Sequence, residues 1–166
     1  MPVRAMGGAY SAVRLGEATG FKPFAGETDE RGCAWLTDWL TALLSREGPL
    51  TAVQTQALAQ AVRVNASTDA TLRSLRSFRK QFLSLDDDGA LYTRLGEWDD
   101  AGSFGWLFPG DGGGLDPLSF DNRVTGFDLS EIFDTAAVRT AWLSYVFRRI
   151  ERTIEDGERP LAVEEF

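Results

Sequence analysis

Two glutamates in succession, Glu164 and Glu165, follow the short apolar run Leu161-Ala162-Val163 in this 166-residue chain. Carboxylates at the C-terminal end of a buried strand can hold Mg²⁺ or orient a water molecule; a solvated acidic stretch is the competing reading. The chain has 25 Asp and Glu residues, and nothing in their spacing selects a glycosidase-type pair. The aspartates at 86, 87, 88, 111 and 116 do not match the spaced ligand loop of an EF-hand and read as surface turns. Histidine is absent, which removes Ser-His-Asp and Cys-His catalysis and every histidine metal site. Cys33 is the only cysteine, so no intrachain disulfide can form; beside Trp35 and Leu36 it reads as a buried thiol in a reducing compartment. A phosphate cradle needs successive backbone amides above a helix start. Gly7-Gly8 instead precedes a strand pattern, and Gly112-Gly113-Gly114 runs into Leu115-Asp116-Pro117. No stretch matches Gly-x-x-x-x-Gly-Lys-Ser/Thr, and neither Lys22 nor Lys80 has such a setting.

The composition narrows the partners. Lys and Arg number 17, the formal charge is -8, and 43% of residues are hydrophobic. A chain of this length can build one real core, and its bulk charge disfavours bare nucleic acid or an anionic membrane surface. Arg73, Arg76, Arg79 and Lys80 form the best basic cluster and read as the solvated face of a helix. No apolar run approaches the roughly 18 residues of a membrane span, and Met1-Pro2-Val3-Arg4 leads into no secretion segment. A cytoplasmic location is expected.

The elements that must position these groups follow from periodicity. Tyr10, Ala12 and Val13 predict a strand with glycine-rich connections. Trp35, Leu36, Trp39, Leu40, Leu43 and Leu44 trace one wide apolar helix face, started by Thr28 or Asp29 and stopped by Gly48-Pro49. The two tryptophans read as core rather than as a stacking platform. Thr51-Ala52-Val53-Gln54 spells a capping box, with Leu50 as its staple, for a second helix reaching about Val64. Residues 65–69 read as a polar break. Leu72, Leu75, Phe78, Phe82 and Leu83 predict a third helix, and Leu91, Leu95 and Trp98 a shorter one. Residues 109–114 read as loop, and residues 123–129 as a strand carrying Val124 and Phe127. A helix through Val138, Trp142, Tyr145, Val146 and Ile150, capped by Asp134 or Thr135, ends at Gly157 and Pro160. Residues 161–163 then begin a strand. Mixed elements at both ends and helices between them predict an α/β sheet domain interrupted by a helical insert. Its expected parts are residues 1–28, the first strand and glycine-rich piece of the core; residues 29–98, the insert; and residues 99–166, the return to the core.

Several phrases, in order, resemble the large ATPases of type IV secretion and conjugation systems. They are Gly7-Gly8-Ala9-Tyr10, Thr19-Gly20-Phe21-Lys22-Pro23-Phe24, the helix around Trp35-Leu36-Thr37-Asp38-Trp39-Leu40, Gly105-Trp106-Leu107-Phe108 and, most specifically, Val124-Thr125-Gly126-Phe127-Asp128-Leu129. The resemblance implies a partial RecA-like P-loop motor domain in the α/β class that uses ATP with Mg²⁺. It places the family's phosphate-binding loop upstream of the matched region, so this chain alone is not expected to hydrolyse ATP. It puts Glu164 at the Mg²⁺- and nucleotide-associated acidic position and Glu165 at the water-activating one. The chain departs from the family pattern at Lys22, where asparagine is common, and at Glu164, where aspartate is. The implied partners are secretion-channel subunits or a full-length homologue, with possible homo-oligomers, no direct nucleic-acid contact and peripheral association with the inner membrane. A nonenzymatic protein-interaction module built on the helical middle and its Trp35–Trp39 face is the alternative.

Overall fold

The computed structural model describes residues 8–109 and 124–155. Among these the chain is mostly helical, with one small parallel sheet. Strand β1, Ala9–Ala12, pairs with β2, Thr125–Asp128, in the register Ala9↔Thr125, Tyr10↔Gly126, Ser11↔Phe127 and Ala12↔Asp128. Flanking bonds from the Ala9 amide to the Val124 carbonyl and from the Val13 amide to the Asp128 carbonyl, both 2.9 Å, lengthen the ladder. Parallel neighbours cannot be joined by a tight turn, and here all the described helices but the last lie between the two strands.

Those helices start where local chemistry starts them. Helix α1, Pro23–Gly26, is a single turn entered through proline. In α2, Glu30–Leu44, the Asp29 carboxylate accepts the Gly32 amide at 2.6 Å and so caps the helix as expected. Leu36, Trp39, Leu40, Leu43 and Leu44 are buried on one face. The chain then tightens into a 3₁₀ turn, Ser45–Glu47, before Gly48. Helix α3, Ala52–Ser67, begins in the predicted capping box: Thr51 Oγ1 accepts the Gln54 amide at 3.2 Å and Gln54 Oε1 accepts the Thr51 amide at 3.0 Å.

Two expectations need correction here. Residues 65–69 are not a break at Asn65, because α3 continues to Ser67. Asn65 is buried and donates Nδ2 to the Phe24 carbonyl at 3.1 Å, so a long-range partner makes a polar residue acceptable inside the helix. The third helix is broken into a 3₁₀ turn, Ala70–Leu72, helix α4, Leu75–Arg79, and another 3₁₀ turn, Lys80–Phe82. Asp69 accepts the Thr71 amide and Ser74 the Ser77 amide, so short polar side chains take the donors a continuous helix would need. Leu75, Phe78 and Phe82 face the core, while Leu72 and Leu83 are left exposed.

Helix α5, Ala90–Gly96, buries Leu91 and Leu95. Asp87 holds its start by accepting the Gly89 and Leu91 amides, and ties it to α3 by accepting Gln54 Nε2 at 3.1 Å. A series of turns follows and buries Trp98, Leu107 and Phe108. Within it Gly102 leaves no room for a side chain, since a Cβ there would overlap the carbonyl oxygens of Gly96 and Glu97. Backbone cannot swing aside as a side chain can, so Gly102→Ala is expected to lower the unfolding free energy by roughly 1–3 kcal/mol, the range for overpacking. Denaturant titration measures this, and an unchanged midpoint would contradict the packing described.

Helix α6, Ala136–Glu155, buries Val138, Ala141, Trp142, Tyr145 and Val146. Trp142 meets the ring of Phe127 from β2 at 5.2 Å and that of Phe21 at 6.1 Å, which seats the helix on both the sheet and the helical block. Val13, Phe24, Leu58, Leu91 and Trp142 all belong to one continuous core. Among the described residues no helix is long and apolar enough to cross a membrane.

Candidate functional site

In open parallel sheets ligands bind beyond the carboxyl ends of the strands, so that edge comes first. Asp128 closes β2 there. Its Oδ2 accepts the Tyr10 hydroxyl from β1 at 3.1 Å, and its Oδ1 accepts the Ser130 hydroxyl at 2.7 Å and the Ser130 amide at 3.1 Å. Arg14 and Glu131, on the loops leaving the two strands, pair at 3.2 Å. Bonds from Ser130, then from Tyr10, hold the Asp128 carboxyl below the usual carboxylate range. The edge is therefore polar, ordered and negatively charged at its centre.

A second feature is an open cleft of about 340 Å³ whose walls include Phe21, Lys22, Phe24, Arg73, Ser74 and Phe108. Its guanidinium is committed to backbone. Arg73 donates to the carbonyls of Thr68 at 3.0 Å, Ala66 at 3.2 Å and Ala25 at 3.4 Å, two of them at the end of α3, where carbonyls lack helical partners. Arg79 is similarly engaged, lying 3.9 Å over the Tyr92 ring and pairing with Asp99 at 3.1 Å, while Arg76 pairs with Asp100. The basic cluster is thus not a plain solvated helix face. Its arginines tie α3, α4 and α5 to their neighbours, and Lys80 stays exposed.

The densest charge cluster joins the start of α2 to the end of α6. Glu27 is buried and accepts Arg148 Nε and Nη2 at 3.2 and 3.0 Å, and Arg152 Nε and Nη2 at 3.2 and 2.9 Å. Arg152 also forks onto Asp29, both bonds being 2.6 Å. Two carboxylates thus face two guanidiniums in the bidentate geometry that makes such pairs strong. The cluster passes directly over Gly32, where a Cβ would lie 2.5 Å from Glu27 Oε2 and 2.7 Å from Arg152 Nη2. Hydrogen bonds from Arg152, then the Gly32 amide, hold the Asp29 carboxyl well below its ordinary range. Burial works against the charge of Arg148, but Glu27 outweighs it and raises the pKa. Sequence reading missed this cluster. The available signal was Arg148 and Arg152, four residues apart on a helix face otherwise continuous with Val138, Trp142 and Tyr145.

These shifts set a pH dependence. A carboxyl more acidic in the folded chain than in the unfolded one stabilises fully above its unfolded pKa, and that stability is lost as pH falls through the folded value. Asp29, Asp87 and Asp128 are all of this kind; for Asp87 burial opposes the shift, and bonds from the Leu91 amide and Gln54 overcome it. With no histidine in the chain, the unfolding midpoint is expected to be flat from about pH 5.5 to 7.5 and to fall below about pH 4. Asp29→Asn should lower the neutral plateau and shallow the acid limb. Thermal unfolding across pH checks both, and a variant with an unaltered acid limb would remove Asp29 from the account.

Of the residues singled out from sequence, Trp35 and Trp39 stack at 5.4 Å, and Trp39 is buried and meets Phe108 in a T-shaped contact at 5.1 Å. Both pack rather than present a platform, and Arg148 lies 5.7 Å over Trp35. Cys33 is half-buried, and loss of solvent pushes its thiol pKa up, away from reactivity. The backbone amide of Lys22 donates to the Tyr145 hydroxyl at 3.3 Å. Glu164, Glu165, the strand expected at residues 161–163 and the glycine loop at residues 110–114 lie outside the described residues. Among those described, no three His, Cys, Asp or Glu side chains gather to hold a metal ion.

A small parallel sheet reached through a long helical connection, with a polar carboxyl edge, defines a mixed helix/strand protein. Along nearly its whole length the chain is similar to VirB4 and PtlC proteins of type IV secretion systems. It is 30% identical over 166 residues to the type IV secretion system protein virB4 of Bartonella quintana, covering 99% of this chain and 21% of that protein. Identity to protein virB4 of Agrobacterium fabrum is 29% over 167 residues, covering 99% of this chain and 21% of the relative. Identity to the type IV secretion system protein PtlC of Bordetella pertussis is 33% over 166 residues, covering 95% and 20%. The chain therefore spans about a fifth of the length of the relatives it matches. No protein-family model matches it.

Proposed function

We propose that this chain is a segment of the motor domain of an ATPase that energises type IV secretion or conjugative transfer of DNA or protein, and that it does not hydrolyse ATP by itself. The observation that carries this reading is the match to VirB4 and PtlC proteins along nearly the whole chain. The β1–β2 pair supports a RecA-like framework. Parallel sheets are stable when covered on both faces, and the residues of these two strands are at best half-buried, as expected for part of a larger sheet. In this reading residues 1–28 and 99–166 belong to that framework and residues 29–98 are its helical insert. Glu164 is the Mg²⁺- and nucleotide-associated carboxylate and Glu165 the water-activating one. The partners are secretion-channel subunits, a full-length homologue or further copies, with the protein at the cytoplasmic face of the inner membrane.

The described residues do not by themselves fit Mg·ATP. The cleft beside Arg73 has a guanidinium already bonded to three carbonyls, and the two assigned carboxylates lie outside the described residues. The purified chain is expected to show no Mg²⁺-dependent ATP turnover; turnover abolished by Glu165→Gln would overturn its dependence on other segments. Grafted in place of the matching segment of a full-length VirB4, it is expected to support ATP hydrolysis that Glu165→Gln removes. A folded chimera whose hydrolysis ignores that substitution would refute the role of Glu165.

A further inference from the structure

Helix α6 is held by two kinds of contact along its length. Up to Val146 it buries Val138, Ala141, Trp142, Tyr145 and Val146 in the core. Among residues 147–155 the one buried side chain is that of Arg148; Ile150 is half-buried, and Phe147 and Ile154 are 51% and 53% exposed. Charge fastens this end, drawing on the corner between α1 and α2. Glu27, which closes α1, receives both Arg148 and Arg152. Asp29, which caps α2, receives Arg152 in a fork. Arg31, in the first turn of α2, pairs with Glu155 at 3.0 Å, and Trp35 lies under the Arg148 guanidinium at 5.7 Å.

We propose that α6 beyond Val146 and the α1–α2 corner form an ionic clasp, which opens as a unit while the core stays folded. A helix end of this length is marginal in water and needs docking to stay ordered. Docking through charge is undone at lower cost than docking through apolar surface. When the clasp opens, Glu27 and both guanidiniums regain hydration, which offsets much of the attraction they lose. Opening the earlier half of α6 would instead strip Trp142 and Tyr145 from the core, and apolar burial is the dominant favourable term in folding. The boundary between the two regimes falls after Val146. Asp29 keeps its bond from the Gly32 amide in either state, so α2 retains its cap. Segments that move in function come from the low-stability end of a structure, and here charge rather than core decides the docking of a helix end. The inference does not rest on nucleotide binding.

Native-state hydrogen exchange on the intact chain, followed at low denaturant, tests it. The amides of residues 150–155 are expected to exchange at least about tenfold more slowly than unprotected amides, with little dependence on denaturant, because local opening exposes little surface. Those of residues 141–146 should exchange more slowly still and follow the full denaturant dependence of global unfolding. Glu27→Gln should speed exchange at residues 150–155 at least about tenfold, since the buried Arg148 is then left with Glu151 as its carboxylate. If that variant does not fold, Arg152→Gln gives the same direction at about two- to fivefold. Val62→Ala, in the core face of α3, should speed residues 141–146 about tenfold and leave residues 150–155 unchanged. One denaturant dependence shared by both segments would overturn the proposal. So would unprotected amides at residues 150–155, exchange there that neither charge substitution alters, or an equal effect of Val62→Ala on the two segments.

Discussion

Replacing Arg148 by alanine is expected to destabilise the fold by roughly 3 kcal/mol, the lower end of the range for breaking a buried ion pair. The side chains of Arg148 and Glu27 are only 6% and 4% exposed, so solvent does little to screen the loss. The cost is not the value of the pair itself, which had to be desolvated to form. It comes from leaving the Glu27 carboxylate buried with one guanidinium fewer. Arg152 still reaches Glu27 at 2.9 Å, which is why the lower end applies. The double change Arg148→Met with Glu27→Gln should recover part of the loss, because it removes both charges and keeps the volume while Arg152 retains only Asp29 as its carboxylate partner in the cluster. Chemical denaturation of the two variants decides the matter: a loss under about 1 kcal/mol in Arg148→Ala would mean the cluster is far better hydrated than its burial indicates.

Trp142→Ala should be of similar or larger size, about 3–5 kcal/mol for an aromatic emptied from a core. Its indole is 2% exposed and touches both β2, through Phe127, and Phe21, which Tyr145 of the same helix also meets at 5.0 Å. The indole N–H has no hydrogen-bond partner among the described residues. Trp142→Phe consequently gives up volume but no hydrogen bond, and a cost of only about 1–2 kcal/mol is expected. The ratio between the two variants is the informative quantity. Equal losses would contradict the account in which ring volume alone separates the two variants.

These two predictions lie on opposite sides of what could be read before any coordinates. Trp142 belongs to a periodic apolar face, and such a face announces its burial locally. The same holds for the α2 stripe from Leu36 to Leu44, for the Asp29 cap and for the Thr51–Gln54 capping box, each complete within a few residues of chain. Strands β1 and β2 were legible for the same reason, as were the turns around Asp87. The relationship to type IV secretion proteins was also legible, since ordered short phrases survive where no single one is decisive.

What only the tertiary structure decided is whatever depends on a partner distant in sequence. Arg148 and Arg152 meet Glu27 across 121 and 125 residues, and no local rule couples those positions. Asn65 extends α3 rather than ending it because the Phe24 carbonyl, 41 residues away, accepts its amide. The arginines at 73 and 79 look like solvated charge until the carbonyls and rings they serve are brought beside them. The third helix breaks because Asp69 and Ser74 capture backbone amides, a local competition whose outcome was settled by which of Leu72, Leu75, Phe78 and Leu83 the core could accept. Periodicity reports which face of an element is apolar; it does not report which neighbour covers that face. Long-range packing supplies that choice, and with it the charge pairing at the end of α6.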